Sequence, residues 1–453
     1  MAIQCLPNST LVTLAVAIAW IFPASGQAAP VLPAEMEHAI QSAMKTNPEV
    51  TSADSDVLAA GSQVKAGEYR WYPKAVVSNN VGKMVTSSTT RNDSNRYNNL
   101  GLKQTLWDAG KLDAGFDNTK SNKLVAVSQE GSVMESVGMR AAVAYLDVLR
   151  TREQLKVAQR NVAEHNTLFS SISNRKTGGL GTKSDVTLAT TKLQQARATA
   201  ELWKGEIEKA EAVYLSVVGA APESTMPLLK LWDVPGGKEG VVNQIKQRSP
   251  SLAKLRNEVE AAKANVRSQQ AQLYPTVYAQ ADNTHYFGGV SPSTGNTNDF
   301  RVSINIEWQN DVALSQRYQV DAAQHKVEAA QNSVLAEERT LIQQGSVYWD
   351  DYTTARQREK ELTQFSISAG DTVQLFKRQF TIGRRSWPEV MNSQEDLYSA
   401  QSQLTEAKYN VLSTRMRLAF VGGEMDEYLN PDMLKLLKDP MEANVQALKL
   451  PDY

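Results

Sequence analysis

The sequence predicts a mainly α-helical protein with a smaller β portion, built from one long unit that is written twice along the chain. The clearest sign of the repeat is a pair of proline marks. Asn47-Pro48 and Trp71-Tyr72-Pro73 return about 202 residues later as Ser249-Pro250 and Leu273-Tyr274-Pro275. The other two observations are long helical patterns in both copies and an alternation of apolar and polar residues after each Tyr-Pro. This period exceeds that of solenoid repeats and leaves two interpretations, two similar domains or one pseudo-symmetric domain.

The remainder of each unit keeps the same spacing. Tyr145-Leu146-Asp147 matches Tyr348-Trp349-Asp350, and residues 179–186 match residues 383–390. Prolines and a Gly-Gly pair mark a non-helical linker between the two copies. We therefore divide the chain into a signal peptide (1–28), a first repeat (29–219), a linker or equatorial segment (220–240), a second repeat (241–423) and a C-terminal tail (424–453).

The first 28 residues have the features of a secretory signal. Their apolar run, Leu11 to Phe22, is too short to span a bilayer, and small residues near Ala28 indicate the cleavage site. Cys5, the only cysteine, lies in this segment, so the mature chain is expected to have neither disulfides nor cysteine metal ligands. The 48 basic and 49 acidic residues nearly cancel, which argues against a nucleic-acid partner.

Long helices are predicted from apolar residues that recur three and four positions apart. The spacing is clear from Val50 to Val64, and the second copy repeats it from Val320 to Leu341, interrupted by Glu337. Many of these residues are small, which lets neighbouring helices approach closely. The predicted helices span 33–71, 111–177, 184–217, 241–272, 312–381 and 387–420.

Two β-hairpins are predicted after the Tyr-Pro marks, because proline ends a helix and the following residues alternate. The alternation is strongest from Phe300 to Trp308, where every second residue is apolar. The pattern fits outer-membrane strands and small soluble hairpins equally well. The predicted strands are 73–86 with 96–107 and 274–287 with 299–309, joined by polar loops at Ser87–Asn95 and Gly288–Asn298.

No segment after the signal is long and apolar enough for a transmembrane helix. A form that spans a bilayer would therefore need a closed β-barrel. Four strands fall short of the roughly eight that such a barrel requires, so several copies of the chain would have to share one. Composition alone equally allows a soluble periplasmic helical protein.

No catalytic, cofactor or metal site is predicted, and we expect a protein that is not an enzyme. Residues 178–184 resemble a phosphate loop, but Thr182 stands where glycine should precede Lys183, and the stretch follows a helix rather than a strand. The four histidines lack ligand spacing and are predicted to be solvated. They are His38, His165, His285 and His325.

Residues 178–184 are better explained as a tight turn between two helices. Glycines end the first helix, Thr182 or Ser184 caps the second, and Asp185 lies in the first turn, where the helix dipole favours negative charge. Ser386 and Glu389 hold the matching positions in the second copy. Capping alone explains these residues. A charged rim is the alternative, because basic residues lie beside the second turn; they are Lys377, Arg378, Arg384 and Arg385.

Together these features resemble the TolC family of outer-membrane export ducts, over essentially the whole mature chain up to Gly423. The resemblance rests on the signal, the doubled helix-hairpin-helix layout, the proline marks and the paired glycine turns. It is most specific in four blocks, at 144–149, 179–186, 214–219 and 379–386. These blocks are most similar to the branch that serves type I secretion, particularly its members that export large adhesins.

The resemblance implies a homotrimer in which each protomer gives four strands to a shared 12-stranded outer-membrane β-barrel and long helices to a periplasmic α-barrel. The implied partners are a periplasmic adaptor (membrane fusion) protein, an inner-membrane ABC exporter and outer-membrane lipid. No cofactor is implied.

The resemblance also implies a gate at the periplasmic tip, closed by an acidic ring and by tyrosine and arginine contacts. Matched by position, the gate residues are Ser184, Asp185, Phe380, Arg385, Glu389 and Asn392. Three of them depart from the family's pattern, since Phe380 replaces a tyrosine, Glu389 an aspartate and Asn392 a second acid. The turns expected to dock the adaptor contain Gly179, Leu180, Gly181, Thr182, Gly383 and Arg384, and their three glycines are expected to need positive φ.

Two other functions stay open. One is the outer-membrane channel of a proton-driven drug or metal efflux pump. The other is a periplasmic coiled-coil adaptor or structural protein. An adaptor would show one helical hairpin flanked by β-rich segments, whereas this sequence predicts two helical hairpins and two strand pairs.

Overall fold

The computed structural model describes residues 32–85, 92–234, 236–287, 297–308 and 315–425 of the 453-residue chain. The predicted signal peptide at 1–28 and the tail beyond Met425 lie outside the described residues. Residues 86–91 and 288–296, in the segments between the paired strands, lie outside them as well.

Helices and strands follow the same order in both repeats. The first repeat contains α1 (Ala34–Thr46), α2 (Pro48–Glu68), β1 (Lys74–Val85), β2 (Asn92–Trp107), α3 (Lys111–Thr177) and α4 (Lys183–Val218). The second contains α5 (Gly237–Arg248), α6 (Pro250–Ala271), β3 (Thr276–Tyr286), β4 (Thr297–Glu307), α7 (Ser315–Thr381) and α8 (Trp387–Val421). A short 3₁₀-helix, Tyr69–Trp71, follows α2. Helices α3 and α7 have 67 residues each, which makes each about 100 Å long.

Two segments that were predicted as single helices, 33–71 and 241–272, are each divided in two. The breaks fall at Pro48 and Pro250, which occupy the first turns of α2 and α6. Proline has no N–H to donate and forces the preceding residue out of the helical region, so Asn47 is extended with ψ 126°. Asn47 Oδ1 then caps α2 by accepting the N–H of Glu49 at 3.0 Å.

The four strands form one antiparallel sheet in the order β1-β2-β3-β4. Strand β2 pairs with β3, with Leu102 opposite Ala281, so the two repeats share a single sheet. Strands β2 and β4 begin at Asn92 and Thr297, earlier than predicted, because the ladders continue into the polar loop sequences. The predicted loops at 87–95 and 288–298 are therefore shorter than expected.

The sheet has one apolar and one polar face, as the alternation predicts. The register aligns Ala75, Leu102, Ala281 and Val302 across the four strands on the apolar face. That face is open, and Ile304 is 71% exposed. The polar face carries hydrogen-bonded side chains; Asn99 Nδ2, for example, donates to Asp282 Oδ1 at 3.3 Å. Lys103 pairs there with Glu307 at 3.7 Å.

The long helices pack in two pairs, which we call the first hairpin (α3 with α4) and the second hairpin (α7 with α8). Helix α3 also contacts α2, α6 and α8 and so joins both repeats. The main apolar core lies where α1 and the ends of α4 and α8 meet α3, and it includes Met36, Ile40, Tyr145, Leu146 and Phe420. Within the described part of the chain, no helix has the length and apolarity to cross a bilayer.

Polar side chains are buried where the first hairpin meets the second. Gln154 of α3 donates to the Ser402 carbonyl of α8 at 2.8 Å, and Gln394 of α8 donates to Asn161 of α3 at 3.3 Å. His165 lies on the same face of α3 and is only 1% exposed. Its prediction as a solvated histidine was therefore wrong, because the 3.6-residue period turns this position toward α8.

A buried ion pair holds the linker against the end of α8. The Arg415 side chain is fully buried; it donates to the carbonyls of Trp232 and Asp233, each at 3.1 Å, and pairs with Glu424 at 2.6 Å. The guanidinium also lies 4.2 Å above the Trp232 ring. Glu424 and the buried Met425 thus belong to the folded core.

Replacing Arg415 with alanine should destabilise the fold strongly, because it leaves Glu424 as an unpaired buried charge. We expect a loss of about 3–5 kcal/mol in the free energy of unfolding. Urea unfolding followed by circular dichroism at fixed protein concentration measures this loss. Arg378→Ala, at an exposed position of α7, is the matched control and should change stability by less than about 0.5 kcal/mol. Equal effects of the two substitutions on stability would contradict a stabilising role for the buried Arg415–Glu424 ion pair.

Candidate functional site

The two helical hairpins end in the same backbone turn. The Leu180 N–H donates to the Arg175 carbonyl at 2.8 Å, and the Arg384 N–H donates to the Gln379 carbonyl at 2.9 Å. The glycine between each pair has positive φ, 76° at Gly179 and 77° at Gly383. This is the Schellman arrangement, in which a left-handed glycine ends the helix and satisfies its last carbonyls. The prediction for these two glycines is confirmed.

Gly181 differs from the prediction, because it does not adopt positive φ. Its requirement is space: a Cβ there would lie 3.0 Å from the backbone nitrogen of Lys176. The chain passes so close to the end of α3 that a side chain would have to push the two backbones apart. Leu180, beside it, is 76% exposed, and Ile382 is exposed in the second turn.

Each turn is followed by a capping box. Thr182 Oγ1 accepts the Asp185 N–H at 3.1 Å, while Asp185 Oδ2 accepts the Thr182 N–H at 3.0 Å. Ser386 and Glu389 form the matching box at the start of α8. The capping explanation of the two acids is therefore confirmed, since both carboxylates satisfy backbone donors that the helix leaves open.

Glu389 has a second partner that Asp185 lacks. The Arg385 guanidinium pairs with the Glu389 carboxylate and donates to Gln379 Oε1 at 2.9 Å. It also lies 4.2 Å from the Phe376 ring. Hydrogen bonds from the Ser386 hydroxyl and N–H, and then from Arg385, lower the pKa of Glu389 to about 2. The carboxylate therefore stays ionised at neutral and mildly acidic pH.

An apolar cluster packs the two tips of one chain together. We call it the tip cluster, and its buried members are Leu168, Ile172, Ala189, Trp387, Val390 and Met391. Phe380 packs on Trp387 with 5.3 Å between ring centroids. The Arg175 guanidinium also lies over the Phe380 ring, 4.7 Å from the ring centroid. Phe380 thus binds an arginine through its ring face, without the hydroxyl that a tyrosine would offer.

The structure brings only some of the predicted gate residues into contact. Arg385 and Glu389 pair, and Phe380 joins the tip cluster. Ser184 and Asn392 are exposed. Among the contacts of the described residues, Asp185 is held by its own turn and forms no ion pair with Arg385. Sequence reasoning missed Arg175 and Trp387, whose roles depend on contacts between the two hairpins. No group of described residues has the composition of a metal site.

The comparison with protein families matches both repeats. The model described as "Outer membrane efflux protein" aligns with residues 39–219 and again with residues 241–424, which together are most of the chain. The chain belongs to this family. It is an outer-membrane protein, and its relatives are channel proteins rather than enzymes.

Several named relatives match over most of their length. Outer membrane efflux protein BepC of Brucella suis is 24% identical, over 92% of this chain and 92% of that protein. Alkaline protease secretion protein AprF of Pseudomonas aeruginosa is 23% identical, over 85% and 83%. Outer membrane protein TolC of Escherichia coli is 21% identical, over 89% and 85%.

Solved structures show the same fold. CusC aligns with a TM-score of 0.77 at 15% identity, covering 89% of this chain and 95% of that one. The Campylobacter jejuni channel CmeC aligns with a TM-score of 0.75 at 13% identity, covering 90% and 89%. The predicted fold class, mainly helical with four strands and resembling TolC, is thereby confirmed.

The positive φ at Gly383 gives a clean prediction. A Cβ at this position would meet no atom within 4 Å, so Gly383→Ala is strained only by the backbone conformation. We expect it to destabilise the protein by about 1–2 kcal/mol. Gly205→Ala in α4 is the control: its Cβ also meets nothing, but the backbone is helical, so it should stabilise by about 0.5–1 kcal/mol. Thermal unfolding of both variants measures these changes in stability. Tm shifts of the same sign for the two variants would contradict the left-handed conformation assigned to Gly383.

Proposed function

We propose that the protein is the outer-membrane component of a type I secretion system, the passive exit duct through which an exported protein passes from a periplasmic adaptor and an inner-membrane ABC exporter to the outside. The observation that carries the proposal is the tip sequence, Gly179–Val186 and Gln379–Ser386, which resembles the secretion branch. The match to a protein named for alkaline protease secretion supports it. A large surface adhesin is the proposed cargo.

The open sheet supports a shared barrel in a homotrimer. Among the described strands, β1 and β4 each pair on one side only, so the sheet has two free edges. Its apolar face exposes Val77, Phe300, Ile304 and Ile306, each by more than 70%. Contact with lipid on that face and pairing of the edges between three chains would cover both features and give twelve strands. Residues 29–219 and 241–423 then act as two halves of each protomer.

The tip turns support the proposed gate. Three copies would bring three Asp185 and three Glu389 carboxylates to one entrance, where like charges repel. The Arg385 guanidinium offsets the charge of Glu389 and rests on Phe376, so it holds the start of α8 to the end of α7. The exposed backbone of Gly179–Thr182 and of Gly383-Arg384 forms the surface on which we propose that the adaptor docks.

A second candidate is the channel of a proton-driven efflux pump, because BepC carries the name of an efflux protein. The two functions differ in what is lost when the gene is deleted. Secretion predicts that one large protein disappears from the cell surface and culture supernatant, and that plasmid-borne wild type restores it. Efflux predicts greater sensitivity to drugs or metal ions. Quantitative proteomics of the culture supernatant tests the first outcome. Minimal inhibitory concentrations of drugs and metal ions for the deletion strain test the second. Increased sensitivity with an unchanged secretome would overturn the secretion proposal.

Removing the Arg385 guanidinium should loosen the gate. We expect Arg385→Ala to raise single-channel conductance in planar bilayers, while Arg378→Ala, at an exposed position, leaves it unchanged.

Asp185→Asn combined with Glu389→Gln should weaken the preference of the channel for cations, because the amides keep the helix caps but lose the negative charge. Since the pKa of Glu389 is about 2, the contribution of Glu389 to the wild-type preference should persist down to about pH 3. Unchanged conductance and selectivity in all variants would leave the acids with a capping role alone.

A further inference from the structure

The interface between the two hairpins contains a histidine without a partner. His165 is 1% exposed, and neither of its ring nitrogens has a hydrogen-bond partner among the described residues. Gln394, which donates to Asn161 one turn earlier on α3, leaves its Oε1 without a partner among the described residues. Buried polar groups are nearly always hydrogen-bonded, because each unsatisfied group costs about 1–3 kcal/mol. His165 therefore weakens the packed interface in which it lies, although neighbouring pairs stabilise it.

Four charged groups face His165, one from each helix of the two hairpins. Lys192 of α4 pairs with Glu395 of α8 at 3.7 Å. Lys377 of α7 pairs with Glu164 of α3 at 2.6 Å. Both pairs cross from one hairpin to the other, so they hold the hairpins together near the ring. The two positive and two negative charges nearly balance, which leaves burial as the deciding influence on the imidazole.

Burial lowers the pKa of His165, with smaller opposing contributions from Glu395 and Glu164, which raise it, and from Lys192 and Lys377, which lower it. The ring is therefore neutral in the packed interface at neutral pH. Separation of the hairpins would admit water and return the pKa toward its ordinary value of about 6.5. The separated form thus binds a proton more readily than the packed form does.

We propose that His165 is a proton-sensitive latch between the two helical hairpins: the neutral ring permits close packing, and its protonation favours separation. By linkage, acidification favours whichever state binds more protons, which here is the separated one. The packed state is fully favoured above about pH 6.5, and the preference declines as pH falls from there to the lowered pKa. The ratio of separated to packed forms can change about tenfold for each unit between the two pKa values.

The latch lies close to the entrance. Leu168, in the next turn of α3, belongs to the tip cluster, and Gly178 follows His165 by 13 residues, about 20 Å along the helix. Because a helix is stiff over that distance, separation at His165 would reach the tips. The latch is an intrachain property and holds whichever exporter the duct serves, so its test measures the hairpins rather than export.

Distances between two spin labels, one on each hairpin, measured by double electron–electron resonance, test the latch in the assembled full-length protein. Labels on Ala163→Cys in α3 and Asp396→Cys in α8 occupy exposed positions, and the only native cysteine is Cys5 of the signal segment. We expect the distance distribution to shift to longer values between pH 7.5 and pH 5.5. His165→Gln should abolish the shift. His325→Gln, at an exposed histidine of α7, should retain it.

A second measurement needs no substitution at His165. Deuterium exchange at the imidazole C2 carbon of the native protein, read by mass spectrometry between pH 5 and pH 8, gives both the accessibility and the pKa of each histidine. We expect His165 to exchange more slowly than the exposed His325 and to have a pKa below its ordinary value of about 6.5. A His165 pKa at or above the ordinary value of about 6.5, a distance shift that survives His165→Gln, or a shorter distance at low pH would each overturn the proposal.

Discussion

The arrangement of the two repeats depends on the backbone pairing of β2 with β3. Each repeat alone would have a two-stranded hairpin, which is marginal in water, whereas the β2–β3 ladder joins them into one sheet of four. That ladder fixes the positions from which α3 and α7, which follow β2 and β4, leave the sheet. Helix α3 then lies between the repeats and packs on α2, α4, α6 and α8. The doubled sequence is therefore one structural unit rather than two domains in series.

Much of this fold follows from local chemistry. Proline interrupts a helix unless it lies in the first turn, the period of two gives the faces of a strand, and Gly179 and Gly383 mark left-handed turns. The breaks before Pro48 and Pro250 followed from the same rule, but an otherwise continuous apolar pattern concealed them. The earlier starts of β2 and β4 were less accessible, because polar residues join a ladder only when a partner strand is present to pair with them.

The site was harder to predict than the fold, since its residues act between elements that lie far apart in sequence. The sequence predicted caps at Thr182 or Ser184 and at Ser386, with Asp185 and Glu389 in the first turns, because capping depends on residues that are close in sequence. It did not predict that Arg175 of α3 would lie against the Phe380 ring, nor that His165 would be buried. A histidine in a polar helix has no local sign of burial. Only the meeting of the two hairpins decides whether such a residue contacts water.

The paired amides between α3 and α8 limit how the two hairpins can slide. Gln154 and Asn161 are seven residues apart on α3, and their partners Ser402 and Gln394 are eight residues apart on α8. Apolar side chains can exchange one neighbour for another with little loss, but a hydrogen bond exists only at one alignment. A displacement along the helix axes would break both bonds together, with no intermediate position that restores one of them. Sliding of one hairpin along the other should therefore be cooperative and occur in one discrete step, without a continuous range of intermediate positions.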